Sequence, residues 1–567
     1  MTTFKADIQK ALGDKSPYIL DYPIVYIHAW KSAANQPYQI YVGESNDVSQ
    51  RTNQHLKEAV NNPKSWQKEM ISDGVNPEIY IAGHEHFNKS LTLDIENRLI
   101  DYAFGLKSVA RVHNRRGNPQ GNYYLLDELD GIFGKIWKAL RQENKELFLP
   151  EKEVRDSAIF KASPFHKLTK EQQISENKIV TQVGYAILEG KENQLIFVHG
   201  EAGSGKTVLM SSVFASLMDQ AKELFGKELT CALLVNHDEQ KLVYDEIVKK
   251  LGYDKEKYVF KPTQFINAVK ISDGPIDVVF VDEGHLLLTQ GKFSYTGKNQ
   301  LDDIMKRARV TVVMFDENQV LTTEEYWESY LLDEKIALSK QQGNYIELKE
   351  QLRMHCGPST KKWVDAITQS NEVIPLEEKD ENYEIRVFDS PEELHKAIKK
   401  KASQESSALS RIIASYDWEY SSNHKPTGQT YWGVKIGNFF LPWNREIARH
   451  SKGKKSHLAW AEQPATIDEA GSTFTIQGFD LNYAGVIIGP SITYRDGKIV
   501  FDPSKSKSDK ATRKRTLSDG TKKSFGEELI KHELRVLLTR GAQGLYIYAC
   551  DDQLREALKK SLLGITN

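Results

Sequence analysis

Cysteine is scarce in this chain. Only three cysteines occur in 567 residues, and no two of them form a C-x-x-C pair. This spacing excludes a clustered zinc site and a disulfide framework, and it favours a reducing compartment. No segment approaches the roughly 18 apolar residues of a membrane span, and the first residues lack the apolar core of a secretion signal. We therefore expect a cytoplasmic protein with no membrane partner.

An excess of charge of either sign is also absent, since 76 Lys and Arg residues face 78 Asp and Glu residues. A net charge of −2 excludes a uniformly basic nucleic-acid coat, so a polyanion would have to bind at local patches. Residues 503–523 are an exception, because they are poor in apolar residues and rich in Lys and Arg. This composition predicts a mobile insertion that is either a solvated loop or a nucleic-acid contact.

The most informative segment that is present is GEAGSGKT, Gly200 to Thr207, which satisfies the phosphate-loop pattern G-x-x-x-x-G-K-[ST]. It lies between a strand-like run, LIFVHG, and a helix-like run, VLMSSVFASLM. A strand, a Gly-rich loop and a helix N-terminus direct backbone N–H groups at one point, which suits a triphosphate. We expect ATP to be bound by Gly200, Gly203, Ser204, Gly205, Lys206 and Thr207. In this arrangement Lys206 meets the β and γ phosphates, and Thr207 holds Mg²⁺.

A second apolar run, DVVFVDEGH, ends in two acidic residues. A strand that delivers such a pair beside a phosphate loop forms the second half of an NTPase site. We expect Asp282 to bind Mg²⁺ through water and Glu283 to orient or deprotonate the attacking water.

The pattern of the chain predicts an α/β fold in three regions. Residues 1–145 have short strands early and helices late, and residues 146–175 are polar and are interpreted as a linker or adaptor. From residue 176 onward, apolar strand-like runs alternate with amphipathic segments, which is typical of parallel α/β units. We expect two RecA-like lobes, residues 176–335 with the ATP site and residues 336–567 with the basic insertion 503–523.

Four further segments follow the acidic strand in the order found in superfamily 1 helicases. The first segment, Thr311–Gln319, contains Asp316 and ends at Gln319. LKEQLRMH contains Arg353, and LRVLLTRG contains Arg540. Between them, TFTIQGFD supplies Thr473, Gln477, Gly478 and Asp480. With HGEAGSGKT, FVDEGH, RIIASYDWEY and LPWN, they resemble the DUF2075 family, also described as the Schlafen group 3-like DNA/RNA helicase domain, over about residues 176–560.

The resemblance implies a two-lobe clamp that moves on nucleic acid. Gln319 would sense the γ phosphate, Gln477 and Gly478 would line the nucleotide site, and Arg353 and Arg540 would reach the nucleotide from the second lobe. Such arginines can contribute about 10³ to 10⁵ in rate to phosphoryl transfer. A group of aromatic residues in the second lobe would either stack on bases or belong to the core: Trp418, Tyr420, Trp432 and Trp443.

The first region carries a different constellation of polar residues. PIVYIHAW and QIYVGES are interpreted as two strands joined by a turn, and each contains a tyrosine, Tyr26 and Tyr41. Arg51, His55, the helix-like LTLDIENRLIDYAF with Glu96, and then Asn114 follow in order. Over about residues 20–120 this pattern resembles the GIY-YIG nuclease family, a small α+β fold. The first triplet is Ile24-Val25-Tyr26, so it lacks the family's glycine but keeps its tyrosine.

The nuclease resemblance implies a role for each of these residues. Glu96 would be the single carboxylate ligand of Mg²⁺, with Mn²⁺ as an alternative. Arg51 would stabilise charge on the phosphoryl group. Tyr26 or Tyr41 would help to deprotonate the attacking water. His55 would relay a proton or contact phosphate, and Asn114 would orient the site.

Together, these features predict an ATP-driven nucleic-acid motor with an endonuclease that cuts DNA, in defence against foreign DNA or in repair. The alternative is an ATP-gated sensor in which the nuclease fold only binds nucleic acid. A further alternative has RNA as the substrate. The chain shows no basic recognition helix and no zinc finger, so we expect cutting with weak sequence selectivity or with selectivity for structure.

Overall fold

The computed structural model describes residues 2–46, 65–72, 74–114, 121–253, 257–292, 294–404, 408–447, 459–476 and 478–564. They form two compact units: Met1–Lys170 with Ser211–Ser216 and Leu242–Tyr258, and Glu171–Met210 with Leu217–Lys241 and Val259–Asn567. Within the described ranges, we find no helix with the length and apolar character needed to cross a membrane.

The first unit is built on a mixed four-stranded sheet. Its strands are β1 (Ile24–Trp30), β2 (Tyr38–Ser45), β3 (Glu78–Ala82) and β4 (Val109–Val112). Their order is β3-β1-β2-β4; β1 is antiparallel to both neighbours, and β2 is parallel to β4. All seven residues of β1 are buried, His28 included, which explains why the strand is almost entirely apolar in sequence.

Helices surround this sheet, and they include the stretch that the composition predicted to be a linker. Leu147 and Phe148 are buried, and the Trp137 indole N–H donates to the carbonyl oxygen of Leu149 at 3.0 Å. Residues 146–170 therefore pack as part of the first unit. The described helices before residue 170 are Thr2–Leu12, Pro17–Leu20, Ser65–Met70, Lys89–Gly105, Leu129–Glu143, Glu151–Asp156 and Ala158–Lys161.

The second unit contains a six-stranded parallel sheet in the order β10-β5-β9-β8-β6-β7. Its strands are β5 (Gln194–Gly200), β6 (Cys231–Leu234), β7 (Val259–Phe260), β8 (Ile276–Val281), β9 (Ala308–Phe315) and β10 (Tyr345–Leu348). Because β10 pairs with β5, this sheet continues beyond the lobe boundary expected at residue 335. The helices along this part of the chain are Lys170–Leu188, Lys206–Phe225, Asp238–Lys250, Pro262–Ala268, Gln300–Met305 and Ser329–Gln341.

A second parallel sheet, β11-β21-β16-β12-β15, forms the other lobe of the second unit. The strands from residue 384 onward are β11 (Glu384–Val387), β12 (Arg411–Ala414), β13 (Gly433–Ile436), β14 (Phe439–Pro442), β15 (Ala470–Gly471), β16 (Leu481–Ile488), β17 (Ile492–Arg495), β18 (Lys498–Phe501), β19 (Arg515–Thr516), β20 (Lys522–Lys523) and β21 (Gly541–Ala549). Three antiparallel pairs, β13–β14, β17–β18 and β19–β20, lie outside the sheet. The described helices are Pro358–Asp365, Pro391–Ala402, Thr473–Ile476, Asp509–Thr512, Gly526–Leu538 and Asp552–Leu562.

The two parallel sheets confirm the α/β class, with one sheet in each lobe of the second unit. Their central strands are buried and almost purely apolar, as expected for parallel strands covered on both faces. Strand β8 is IDVVFV, and strand β9 is ARVTVVMF. The carboxyl ends of parallel strands meet at one edge of each sheet, and the predicted motifs follow those ends.

One buried carboxylate stands out in the second lobe. Glu533, on the helix Gly526–Leu538, is 6% exposed and accepts hydrogen bonds from the Tyr416 N–H at 3.0 Å and the Thr473 hydroxyl at 3.4 Å. Burial, assisted by the negative charge of Asp417, raises the pKa of Glu533 to about 8. The folded protein therefore holds a proton here that the unfolded chain releases above its ordinary carboxyl pKa.

We predict that the Glu533→Gln variant is more stable than the wild type by an amount that increases as pH rises. Between the ordinary carboxyl pKa and about pH 8, the native state binds one more proton than the unfolded state, so wild-type stability falls with pH by up to about 1.4 kcal/mol per unit. The neutral amide removes this loss. Urea unfolding midpoints of both proteins at about pH 6 and about pH 8 measure the effect.

The matched control is Glu527→Gln, which neutralises an exposed carboxylate on the same helix. Its difference from wild type should not change with pH. A pH-independent difference for Glu533→Gln would contradict the buried-proton interpretation.

Candidate functional site

The phosphate loop begins at the carboxyl end of β5 and requires its glycines. Gly203 and Gly205 have left-handed backbone conformations, with φ of 88° and 76°. A Cβ on Gly203 would collide with the side chain of Gln351, and a Cβ on Gly200 would lie 2.5 Å from the Ser204 hydroxyl oxygen. The loop therefore closes tightly in front of the helix Lys206–Phe225.

The ends of β5 and β8 bring the predicted lysine, threonine and aspartate together. Lys206 is 7% exposed, and its ammonium donates to the carbonyl oxygens of Gly200 at 2.6 Å and Glu201 at 2.9 Å. The Thr207 hydroxyl donates to Oδ2 of Asp282 at 3.3 Å. The hydroxyl and the carboxylate oxygen are thus in reach of a common Mg²⁺.

Glu283 follows Asp282 in a conformation that is uncommon for a residue with a side chain, with φ of 51°. One of its carboxylate oxygens lies 3.3 Å from Nε2 of the buried His285. Burial alone would raise the pKa of Glu283, but the adjacent His285 ring and then the ammonium of Lys206 lower it below its ordinary value. Glu283 is therefore ionised at neutral pH, as a residue that orients or deprotonates water must be.

Residues of the second lobe meet the end of β9 at Gln319. The Gln319 amide donates to Oδ2 of the buried Asp316 at 2.8 Å, and its carbonyl oxygen accepts from Nη2 of Arg540 at 3.1 Å. Arg540 is 1% exposed, and burial with the charge of Arg353 lowers its pKa to about 10. It remains charged at neutral pH. A continuous polar chain thus connects the two lobes at the nucleotide site.

Arg353 lies against Gly203 of the phosphate loop and forms an ion pair with Asp480. The structure therefore places the two predicted arginines in different contacts, Arg353 with Asp480 and Arg540 with Gln319. Gly478 has φ of 83°, while Gln477 lies outside the described residues. The Gln477 prediction therefore remains a prediction.

Two site residues escaped the sequence analysis. Gln240 donates to Oδ2 of Asp282 at 3.2 Å, and Nη2 of Arg535 lies 2.9 Å from Oε1 of Glu201 in the phosphate loop. Gln240 lies on the helix after β6, outside the motifs that the sequence analysis used, whereas Arg535 lies within LRVLLTRG, in which only Arg540 was singled out. Arg535 is the one charged residue in the otherwise apolar run Leu534–Leu538, which is the signal that could have identified it.

The donor set fits ATP with a metal ion. Ser204 Oγ, Nη1 of Arg353 and Nε of Arg540 are buried with no hydrogen-bond partner among the described residues. Such atoms are costly to bury unpaired, and phosphate oxygens would satisfy them. The glycine-lined loop provides the space, and Thr207 with Asp282 provides the oxygen donors that Mg²⁺ prefers.

A cleft of about 430 Å³ opens between the two lobes of the second unit. Gln240 lines it on one side, and Tyr416, Tyr420 and Phe474 line it on the other. The rings of Tyr416 and Phe474 meet edge to face at 5.7 Å. Polar and aromatic groups from both lobes therefore share one concave surface.

The four predicted aromatic residues do not share one role. Trp443 is fully buried in the core, and its indole N–H donates to the Glu419 carbonyl oxygen at 3.3 Å. The indoles of Trp418 and Trp432 also donate to backbone carbonyls. Of the four, Tyr420 lines the cleft.

The first unit gathers its predicted tyrosines around one glycine. Tyr26 lies opposite Gly43 in the β1–β2 pair, and a Cβ on Gly43 would be 2.5 Å from the Tyr26 hydroxyl oxygen. The rings of Tyr26 and Tyr41 lie 6.2 Å apart, and Tyr41 stacks on Trp66 at 4.3 Å. Gly43, the glycine of the triplet Tyr41-Val42-Gly43, is therefore required by the ring of Tyr26.

Glu96 faces the same region from the helix Lys89–Gly105 and is 4% exposed. The Asn114 amide donates to Oε1 of Glu96 at 3.1 Å and to the carbonyl oxygen of Val42, next to Gly43. Arg51 and His55 lie outside the described residues. Among those described, no group of three or more His, Cys, Asp or Glu side chains is arranged to hold a metal ion. A single carboxylate with water ligands is a set that Mg²⁺ can use.

Comparison with known proteins decides the family. The family described as "Schlafen group 3, DNA/RNA helicase domain" matches residues 193–551, which are well over half of the chain. The chain belongs to this helicase-domain family. The uncharacterized protein YPL245W of Saccharomyces cerevisiae is 31% identical over 397 residues, which cover 65% of this chain and 84% of the yeast protein. Family membership supports a helicase-like ATPase that acts on nucleic acid and uses ATP with a metal ion.

Solved helicase structures are similar to this family member over about two thirds of its chain. Arterivirus nonstructural protein 10 (helicase) is 14% identical with a TM-score of 0.26, covering 68% of this chain and 64% of its own. Pif1 helicase from Candida albicans is 12% identical with a TM-score of 0.27, covering 69% and 96%. This chain thus spans less than two thirds of the arterivirus protein.

We predict that Gly43→Ala lowers the thermal stability of the first unit. The new methyl group overlaps the buried Tyr26 ring, and such overpacking costs about 1–3 kcal/mol. Calorimetry of the full chain measures the shift. The control is Gly134→Ala, within the helix Leu129–Glu143, where a Cβ meets open space. It should stabilise by about 0.5–1 kcal/mol. Equal effects of the two variants would contradict the packing argument.

Proposed function

We propose that this protein is an ATP-driven motor on single-stranded nucleic acid. The polar chain from Asp316 through Gln319 to Arg540 carries the proposal, because it joins the two lobes beside Lys206. A change at the γ phosphate would be felt by Gln319 and passed to the second lobe through Arg540. Such a connection is what a two-lobe motor needs in order to convert hydrolysis into movement.

In the proposed hydrolysis each residue of the site has a separate role. ATP supplies the phosphoryl group that is transferred to water, and Mg²⁺ offsets its charge. Lys206 would exchange its two carbonyl acceptors for phosphate oxygens, and Thr207 with Asp282 would hold the metal. Glu283 would orient the attacking water and take its proton at the carboxylate. Arg540 would stabilise the negative charge that develops on the phosphoryl oxygens.

The cleft between the lobes is the proposed strand site. Phe474 and Tyr420 offer ring faces, and base–aromatic stacking contributes about 1–3 kcal/mol per base. Asn444 and Arg445 at its edge both have left-handed backbones, with φ of 63° and 75°. Strained conformations of this kind cluster at functional sites. The strand would therefore lie across both lobes and respond to their relative movement.

We predict that Lys206→Ala and Glu283→Gln separate binding from hydrolysis. Lys206→Ala should lower both ATP binding and turnover, because it removes the phosphate-binding ammonium. Glu283→Gln should retain binding and lower turnover by about 10² to 10⁴-fold, because the amide cannot take a proton. Phosphate release and equilibrium binding of a fluorescent ATP analogue measure the two steps.

The controls for these variants are Lys222→Ala and Glu223→Gln, which change exposed residues on the helix after the phosphate loop. Both controls should retain turnover. Normal turnover by Glu283→Gln would remove Glu283 from its proposed role.

The first unit supports a second proposal, a Mg²⁺- or Mn²⁺-dependent GIY-YIG-type endonuclease that cuts DNA. Asn114 holds the carboxylate of Glu96 against the backbone of the YVG strand, and Tyr26 lies across the same strand pair. In this proposal Glu96 holds the metal, the Tyr26 or Tyr41 hydroxyl contacts the attacking water, and Arg51 and His55 contact phosphate. Together with the motor it suggests defence against foreign DNA or repair.

We predict that Glu96→Gln abolishes cleavage of DNA and leaves ATP turnover unchanged. The amide keeps the shape of the side chain but cannot hold a divalent ion, whereas the nucleotide site is built from other residues. Plasmid, linear and single-stranded DNA are incubated with Mg²⁺ with and without ATP, and products are separated on gels. The control is Glu85→Gln, which neutralises an exposed residue of the same unit.

Three outcomes distinguish the possibilities for the nuclease. Cutting that requires Glu96 and depends on ATP supports a motor-coupled nuclease. Cutting of RNA alone would change the substrate. Absence of cutting with every substrate would favour an ATP-gated sensor in which the first unit only binds nucleic acid.

A further inference from the structure

The basic insertion 503–523 packs onto the first lobe through a buried arginine. Arg515, on β19, is 3% exposed. Its Nη1 donates to the Thr289 hydroxyl at 2.7 Å and to the carbonyl oxygens of Thr323 at 2.9 Å and Tyr326. Nη2 donates to the Thr289 carbonyl oxygen at 3.2 Å. The composition predicted a mobile insertion, whereas this side chain is held by four hydrogen bonds from the other lobe.

Neighbouring contacts strengthen the same attachment. Nη2 of Arg515 also lies 3.5 Å from Oε1 of Glu328, and the Ser518 hydroxyl donates to Oε2 of Glu328 at 2.8 Å. Arg513 pairs with the buried Glu324. Two arginines in this half of the insertion, Arg513 and Arg515, therefore bind the first lobe, whereas Lys514 is exposed.

The other half of the insertion lines the cleft. Lys507 and Lys510 are exposed residues on its wall. The Lys507 N–H donates to the Tyr416 carbonyl oxygen in the second lobe at 2.8 Å, and the Lys510 carbonyl oxygen accepts from Thr323 N–H of the first lobe at 2.9 Å. This short stretch therefore spans from one lobe to the other across the mouth of the cleft.

The wall carries charges of both signs, since Lys507, Lys510 and Arg445 lie beside Asp238 and Asp509, and the Lys507 ammonium lies 3.6 Å from Oε1 of Glu419. The lysines are the positions at which a phosphodiester strand would be bound. The ammonium of Lys510 lies 5.0 Å from the ring centre of Phe474. Partial burial, followed by the positive charge of Lys292, lowers the pKa of Lys510. An anion at the cleft would relieve this repulsion, and the aromatic rings beside it would accept bases.

We propose that residues 503–523 form a strap across the strand cleft, in which the Arg515 anchor positions Lys507 and Lys510 against the phosphates of single-stranded nucleic acid. The inference rests on the proposed function of the cleft. Arg515 itself would not contact the nucleic acid and is a positioning residue. Releasing it would let the strap move away, and both lysine contacts would be lost together.

The test measures affinity of the full chain for fluorescent oligothymidylate across a salt series, and repeats it with oligouridylate. Each phosphate contact contributes about 0.7 to the slope of log affinity against log salt for single strands. Lys507→Ala with Lys510→Ala should therefore reduce the slope by about 1.4. Arg515→Ala should reduce it by a similar amount, and combining all three changes should reduce it no further.

Two further variants keep the test decisive. Lys514→Ala removes an exposed positive charge from the same segment and should leave the slope unchanged. Glu328→Ala weakens the anchor from the first lobe and should reduce the slope less than Arg515→Ala does. A variant that merely folds poorly lowers the amount of active protein and leaves the slope of the remaining fraction unchanged.

The outcomes separate the strap from the proposed function. Absence of salt-dependent binding by the wild type would overturn the proposed function itself. Slopes that fall for the lysine variant but not for Arg515→Ala or Glu328→Ala would overturn the strap alone. Binding by the wild type with an unchanged slope for the lysine variant would also overturn it. Non-additive losses with either type of strand support it.

Discussion

A buried guanidinium must be paired with hydrogen-bond acceptors or carboxylates, and in the second unit this requirement connects the two lobes. Arg540, Arg535 and Arg515 are each nearly fully buried in the lobe with β21 or in its insertion, and their partners lie in the other lobe. Arg540 donates to Gln319, and Arg535 pairs with Glu201 in the phosphate loop. Separating the lobes would expose each charge and leave its partners unpaired. The position of the lobes is thereby tied to the chemistry of the nucleotide site.

A second constraint is the absence of side chains where the chain comes close to itself. Gly203 leaves room for Gln351 and Arg353, which come from the segment after β10. Gly43 leaves room for the Tyr26 ring in the other unit. In both places a single methyl group would displace a residue that the proposed chemistry uses. The two glycines therefore allow both the close approach of the chain and the arrangement of residues at the proposed sites.

Much of the architecture could be predicted because it depends on short-range patterns. Apolar runs of strand length predicted β5, β6, β8, β9, β12, β16 and β21, and the apolar run IVYIHAW predicted β1. Strand β10 lies beyond the lobe boundary predicted at residue 335, because YIEL is short and only its pairing with β5 assigns it to the first lobe. Residues 146–175 were predicted to be a linker or adaptor because polar residues predominate there, although a few apolar residues such as Leu147 and Phe148 are buried.

The nucleotide motif, its acidic strand end and the Glu96 helix were determined by the sequence itself, since they depend on neighbours a few residues apart. Only the tertiary structure decided that Gln240 contacts Asp282 and that Arg515 is buried. Composition predicts that a Lys- and Arg-rich segment is solvated, because charge is costly to bury. That cost is offset at Arg515 by carbonyl oxygens roughly 200 residues away along the chain. Partners so distant in sequence are brought together only by folding.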